Sequence, residues 1–279
     1  MNRARQSGMT LIELMLAAAL SVVISYFIMN IMITSARTAS TAEGLSQAQE
    51  TGRLVMAWLD KEIATAGYNS DYQSSISVAP LAELCTTAAV PPANSAHCTF
   101  ETSSNNTGGD RLAIRRSTGG LTASQKDLQT CGGEALATSI TDNMTPVIDV
   151  YWVEPNTGDT DLSNDYQFRC ATYDEGGIRQ GSAQTIANGV ESIQLLVGVS
   201  DGSGSGSVVN FVSADKVADW SAVTAVRLAI LTREFNENNT LPNDTRVFGL
   251  LDSTTAPYTD TIARYVQNGT VWFPNTKRM

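Results

Sequence analysis

Charge is scarce near the start of this chain. From Leu14 to Ala36 no residue carries a formal charge, and over all 279 residues only 16% are Asp, Glu, Lys or Arg. An uncharged apolar run of that length is enough for a transmembrane helix, which needs about 20 residues. Positive charge is the scarcer sign. The formal net charge is −10, which argues against nucleic-acid binding, since that requires a basic face. Histidine is limited to His97, next to Cys98 in an irregular stretch; it reads as a solvated side chain and gives no zinc spacing. There is no G-x-S-x-G elbow, H-E-x-x-H, Walker loop or dinucleotide fingerprint, so the sequence predicts no catalytic site, no cofactor and no metal.

The run Gly8-Met9-Thr10-Leu11-Ile12-Glu13-Leu14 comes after two basic residues, Arg3 and Arg5. Glu13 is the only charge inside the apolar block. A carboxylate at the bilayer centre costs about 2.5–3.5 kcal/mol on the most lenient scales, so Glu13 calls for a partner. An ordinary signal peptide fits poorly. Cleavage at Ala17-Ala18-Ala19 would leave a core of only Met9 to Leu16, interrupted by Glu13. Cleavage after Gly8 fits better: it frees the amine of Met9 and leaves Glu13 near the new N-terminus. These residues resemble the leader of type IV pilins, a short basic segment, Gly, a hydrophobic or Met residue, then Thr-Leu-Ile-Glu. Arg3 and Arg5 predict a cytoplasmic N-terminus with the bulk of the chain outside. Losing those two charges with the leader would take the −10 to −12.

No proline interrupts Met9 to Ala66, and Gly67 is a natural stop. Leu45, Ala48, Gly52, Val55, Leu59 and Ala66 recur at three- and four-residue steps, with Leu54, Trp58 and Ile63 beside them; Arg53, Asp60, Lys61 and Glu62 fall mostly opposite. This is an amphipathic helix packing one face on a domain. Asn30 is the polar residue of the span, read either as bonded to a neighbouring helix or the outer interface, or as a point where the helix loosens. From Tyr68 to Asn106 the chain reads as a long loop. Strands are expected at 111–116, 147–154, 166–173, 190–199, 208–212, 223–232, 246–251 and 262–273, the last broken by a hairpin at Asn268-Gly269.

Four cysteines, Cys85, Cys98, Cys131 and Cys170, lie in the outer part and form no C-x-x-C pair. They are expected as disulfides in an oxidising periplasm. Four cysteines allow three pairings; Cys85–Cys98 with Cys131–Cys170 is favoured because it closes local loops. Asp159, Asp161, Asn164 and Asp165 carry oxygen ligands at a spacing that can hold calcium. The EF-hand order is absent, so no metal site is assigned. The Gly/Ser run at 202–207 reads as a hairpin tip or loop, and Trp220 as a core anchor.

One long helix succeeded by many strands implies an α+β fold with an antiparallel sheet laid on the helix. The segments Gly189-Val190-Glu191-Ser192-Ile193-Gln194-Leu195 and Asp219-Trp220-Ser221-Ala222-Val223, with the Gly67-Tyr68 step and the closing 265–278 segment, resemble the PilW family of minor type IV pilins. Val271-Trp272-Phe273-Pro274-Asn275 departs from the Arg-Asn pair that usually ends the family's last strand. The resemblance implies a type IV pilin fold: a leader over 1–8, a helix over 9–67 whose first part (about 9–36) is transmembrane, and a β-rich head over 68–279. It implies a minor pilin in a priming or tip complex, cleaved between Gly8 and Met9 by a prepilin peptidase and N-methylated at Met9. Glu13 would pair in the filament with a neighbour's amine. The implied partners are other minor pilins, the major pilin and a PilY-type tip adhesin. The chain would sit in the inner membrane with its head in the periplasm, then in the pilus. A J-type minor pseudopilin of a type II secretion system is the alternative, ahead of a membrane-anchored periplasmic binding protein or enzyme.

Overall fold

The computed structural model describes residues 8–68, 79–86, 89–102, 108–118, 128–156, 166–201, 207–234, 241 and 244–276. Arg3, Arg5 and the acidic set Asp159, Asp161, Asn164 and Asp165 lie outside the described residues, as does most of the Gly/Ser run. Helix α1 (Leu11–Ile63) comes first and strands dominate the rest of the chain, so the fold is α+β. The chain forms two compact units, residues 1–43 and 44–279.

In the first unit α1 is continuous and exposed from Leu11 to Ala39, with a mean hydropathy of 2.3 in its most apolar window. Some of its polar side chains bond to their own helix. Ser21 Oγ donates to Ala18 O (2.8 Å), and Asn30 Nδ2 donates to Tyr26 O (3.1 Å). Asn30 thus finds an acceptor one turn back, and the helix stays regular through it.

In the second unit the remainder of α1 buries Ala48, Gly52, Val55, Leu59 and Ile63, the three- and four-residue stripe of a helix lying on a core. Three positions differ from what that periodicity predicts. Leu45 and Leu54 are 38% and 63% exposed, whereas Glu62, expected outward, is 6% exposed and accepts a hydrogen bond from Tyr151 Oη (3.4 Å). The contact stripe is rotated toward small residues, Gly44, Ala48, Thr51 and Gly52, because these let the helix approach the sheet closely. A turn closes the helix at Gly67, whose φ of +70° suits glycine and whose N–H donates to Arg115 O (2.8 Å). Asn275 Nδ2 donates to Ala64 O (2.8 Å) and Ala66 O (3.2 Å), satisfying carbonyls the helix end leaves open.

The strands, in chain order, are β1 (Gly108–Gly109), β2 (Leu112–Arg116), β3 (Val147–Pro155), β4 (Tyr166–Asp174), β5 (Arg179–Asn188) and β6 (Val190–Ser200). Then come β7 (Val208–Val212), β8 (Val223–Arg233), β9 (Gly249–Leu250), β10 (Ser253–Thr254) and β11 (Arg264–Trp272). One sheet is antiparallel in the order β2-β3-β4-β5. A second runs β1-β6-β8-β11 with β7 also on β6, where only the short β1 pairs parallel, and β9 and β10 form a small antiparallel sheet of their own. Gly189, with φ +72°, is the single residue between β5 and β6. Its N–H donates to Tyr166 O (2.8 Å) and its carbonyl accepts from Arg233 N (2.9 Å), joining a strand of each sheet.

The core is continuous between α1 and both sheets, from Val55, Leu59 and Ile63 through Leu112, Ile114, Tyr151 and Phe168 to Val190, Ile193, Leu195, Leu228 and Ile230. Trp220 is only partly buried against it, in a single turn of 3-10 helix. The expected hairpin at Asn268-Gly269 does not form. Strand β11 runs straight through, Asn268 opposite Ala229 and Gly269 opposite Leu228. An unbroken 11-residue β8 offers it a partner throughout. The missing side chain of Gly269 makes room for Met56 of α1, whose Sδ would lie 3.0 Å from a Cβ there. The strand expected at 246–251 shrinks to β9 and an isolated bridge between Arg246 and Tyr258.

Candidate functional site

Thr10 precedes the first helical residue, and its backbone N–H and Oγ1 both donate to Glu13 Oε2, at 2.9 and 2.8 Å. In return Glu13 N donates to Thr10 Oγ1 (3.4 Å). This is a reciprocal capping box, and Thr-Leu-Ile-Glu matches its S/T-x-x-E spacing. Sequence reasoning gives Glu13 a partner outside the chain and misses this local role, although the spacing is legible. Gly8 and Met9 lie just before the cap, both exposed. Beyond it Leu11, Ile12, Met15, Val22, Tyr26, Phe27 and Ile31 are all more than half exposed. A helix surface of this kind is compatible with anchoring in a membrane and with packing against other apolar helices.

The head is built differently, with several ion pairs inside. Arg116 Nε lies 2.6 Å from Asp149 Oδ2, both side chains nearly fully buried, and Thr172 Oγ1 donates to the other carboxylate oxygen. Glu191, on β6, holds Arg264, on β11, through two bonds of 2.6 and 3.0 Å, with Arg233 Nη1 at 3.8 Å. Asp260 adds two more bonds to Arg264 at 2.7 Å, and the Tyr258 ring stacks on the guanidinium. These are structural pairs; each carboxylate and each cation faces its counterpart. Cys85 is bonded to Cys98 and Cys131 to Cys170. The first bridge closes the loop ahead of β1. The second ties the segment before α2 (Thr138–Thr141) to β4.

His97 is half-buried rather than solvated, near Gly177 and 6.4 Å from the Tyr173 ring, and burial lowers its pKa. Among the described residues no three His, Cys, Asp or Glu side chains gather in a way that could hold a metal ion. The surface with an unmet physical demand on this scale is therefore the exposed face of α1.

Residues 150–275 match the PilW family, type IV pilus-assembly protein W. The PilW match opens inside β3 and runs past β11, so it rests on the head and is independent of the leader-like N-terminus. It supports a pilin-type role, implies contacts with other pilus components and suggests a structural rather than catalytic protein. Among solved structures, the type IV-like pilin TTHA1219 from Thermus thermophilus is similar over 82% of this chain and 97% of its own, with a TM-score of 0.44 and 14% identity. No curated protein matches in sequence.

Proposed function

We propose that this chain is a minor type IV pilin, a low-copy subunit of a complex that primes pilus assembly and sits at its tip. The observation that carries this is a single helix with two environments. Its first part is apolar and exposed behind the Thr10–Glu13 cap; its second is built into the core of a head matching PilW. On this reading residues 1–8 are a leader, cleavage falls between Gly8 and Met9, and the freed Met9 amine is methylated without losing its charge. The apolar part of α1 anchors the subunit in the inner membrane with the head in the periplasm. In the filament Glu13 meets the amine of a neighbour, whose reference pKa of about 7.7–8.0 leaves much of it charged near neutrality. The partners are other minor pilins, the major pilin and a tip adhesin.

The test is the mature N-terminus. Intact mass of membrane-extracted protein should show a chain beginning at Met9, heavier by a methyl group. Gly8→Val should retain the leader, because a peptidase that accepts only the smallest residue there cannot cleave it. Wild-type protein beginning at Met1, or normal processing of the variant, overturns the prepilin reading. Co-purification with type II secretion pseudopilins instead of pilus proteins would move the chain to that system.

A further inference from the structure

One buried cation in the head has no counter-ion among the described residues. Arg111, between β1 and β2, is 6% exposed. Its Nη1 donates to Ala89 O (3.0 Å), its Nη2 approaches both sulfurs of the Cys85–Cys98 bridge, and its guanidinium lies 5.4 Å from the Phe100 ring centre. Nε is buried with no hydrogen-bond partner. Disulfide sulfur is a weak acceptor, and among the described residues no carboxylate pairs with Arg111. The neighbouring Asp110 does not pair with it; its two oxygens accept instead from Thr102 N (2.8 Å) and Leu195 N (2.9 Å). The flanking stretches 87–88 and 103–107 contain no acidic residue.

The other deeply buried arginines set the contrast. Arg116, Arg233 and Arg264 have carboxylate oxygens at 2.6, 3.8 and 2.6 Å. Arg111 alone among these four is left to a carbonyl, two sulfurs and a ring, and burial pulls its pKa down to about 10. A buried charge without its partner is among the costliest arrangements in a protein interior, so its retention asks for an anion supplied from outside.

Arg111 also lines a cavity of about 280 Å³, which Asp110 borders with its carboxyl oxygens bonded to backbone N–H groups; the remaining side chains of the wall are apolar, with Val90, Pro91, Phe100, Trp152 and Val153. We infer that this cavity binds an organic carboxylate carried on a small apolar body, with Arg111 as its counter-ion. The planar guanidinium suits a carboxylate in its two-oxygen geometry. The volume falls at the lower edge of small-molecule sites, about 300–1,000 Å³, which limits the apolar body to one ring or a short branched chain. A bare phosphate or sulfate would leave the apolar walls unfilled. The same chemistry is offered by a free acid and by the C-terminal residue of a peptide. The site does not depend on the filament in which the subunit is placed.

The full chain in detergent can be titrated with 4-fluorophenylacetate, monitored by fluorine NMR, and with Gly-Gly-Phe by calorimetry. Saturable binding is expected for the acids, weaker by about tenfold or more for 4-fluorophenylacetamide and the amidated tripeptide. Binding by either acid supports the site, and the tighter one identifies the source. Arg111→Gln should lower the acid's affinity to that of the amide. If that variant fails to fold, Val90→Trp, at a position 70% exposed on the cavity wall, should obstruct binding without disturbing the core. Equal binding of acid and amide, acid binding unchanged in both variants, or no saturable binding of either acid overturns the inference.

Discussion

At the scale of single residues, most buried charges of the head are paired, and Asp110, like its neighbour Arg111, departs from that rule. Asp149 and Glu191 are buried against arginines, whereas Asp110, 1% exposed, faces only two backbone N–H groups. Burial, and next the nearby charge of Glu101, push its pKa up to about 8; the two N–H bonds offset this only in part. Glu101 is raised too, by burial first and by Asp252 and Asp215 in smaller measure. The folded state therefore holds the Asp110 proton more tightly than the unfolded chain, where the value is 3.8. A group raised in this way contributes stability that is fully present below the unfolded value and lost as pH rises through the folded one. The head should accordingly lose stability between about pH 5 and pH 8, where most exposed carboxylates have finished titrating. Thermal unfolding monitored by tryptophan fluorescence should show a falling Tm over that window. Glu101→Gln should flatten the fall by removing the like charge beside Asp110. An identical slope in wild type and variant would show that this pair does not control it.

At the scale of elements, close approach of α1 to the five-stranded sheet depends on residues that contribute almost no side chain. A Cβ at Gly52 would lie 3.2 Å from Gln267 Cβ and 3.4 Å from Thr232 Oγ1, while Thr232 itself donates to Ala48 O (2.7 Å). Gly52→Val should therefore overpack this contact and cost about 1–3 kcal/mol, measured by urea unfolding, although an exposed helical glycine would gain from replacement. Stability unchanged or raised would show that the helix can lift off the strand freely. Such contacts explain which elements are legible in the sequence and which are not. The strands at 147–155, 166–174, 190–200, 208–212 and 223–233 carry apolar runs, and periodicity places them within a residue or two at each end. Strand β5 is Arg-Gln-Gly-Ser-Ala-Gln-Thr-Ile-Ala-Asn, an edge strand with no residue fully buried, so no apolar signal can reveal it. Asn268-Gly269 has the composition of a turn, but tertiary pairing with β8 overrides it. The burial of Glu62 escapes helical periodicity because its acceptor role depends on Tyr151, 89 residues away.

At the scale of the whole molecule, Glu13 has two roles to separate, and the capping box supplies the means. The sequence suggests a charge awaiting a partner in an apolar bundle; the structure shows the same carboxylate closing the start of its own helix through Thr10. A capping box accepts Gln as well as Glu at its last position, but only Glu carries charge. Glu13→Gln therefore keeps the cap and removes the ion pair, whereas Glu13→Leu removes both. If docking to a neighbour's amine is what the filament needs, the two variants should be equally poor at co-purifying with other minor pilins and at supporting surface pili. Both should still be cleaved and inserted, since each leaves the apolar run intact. Losing a cap alone costs about 0.5–2 kcal/mol, while leaving an amine unpaired in a bundle of low dielectric costs about 3–5 kcal/mol. The charge effect should therefore dominate, and Gln should rescue little of the Leu defect. Near-normal piliation with Glu13→Gln beside a clear defect with Glu13→Leu would assign Glu13 to the helix cap and remove the docking role. Normal piliation with both would leave the head as the sole carrier of recruitment.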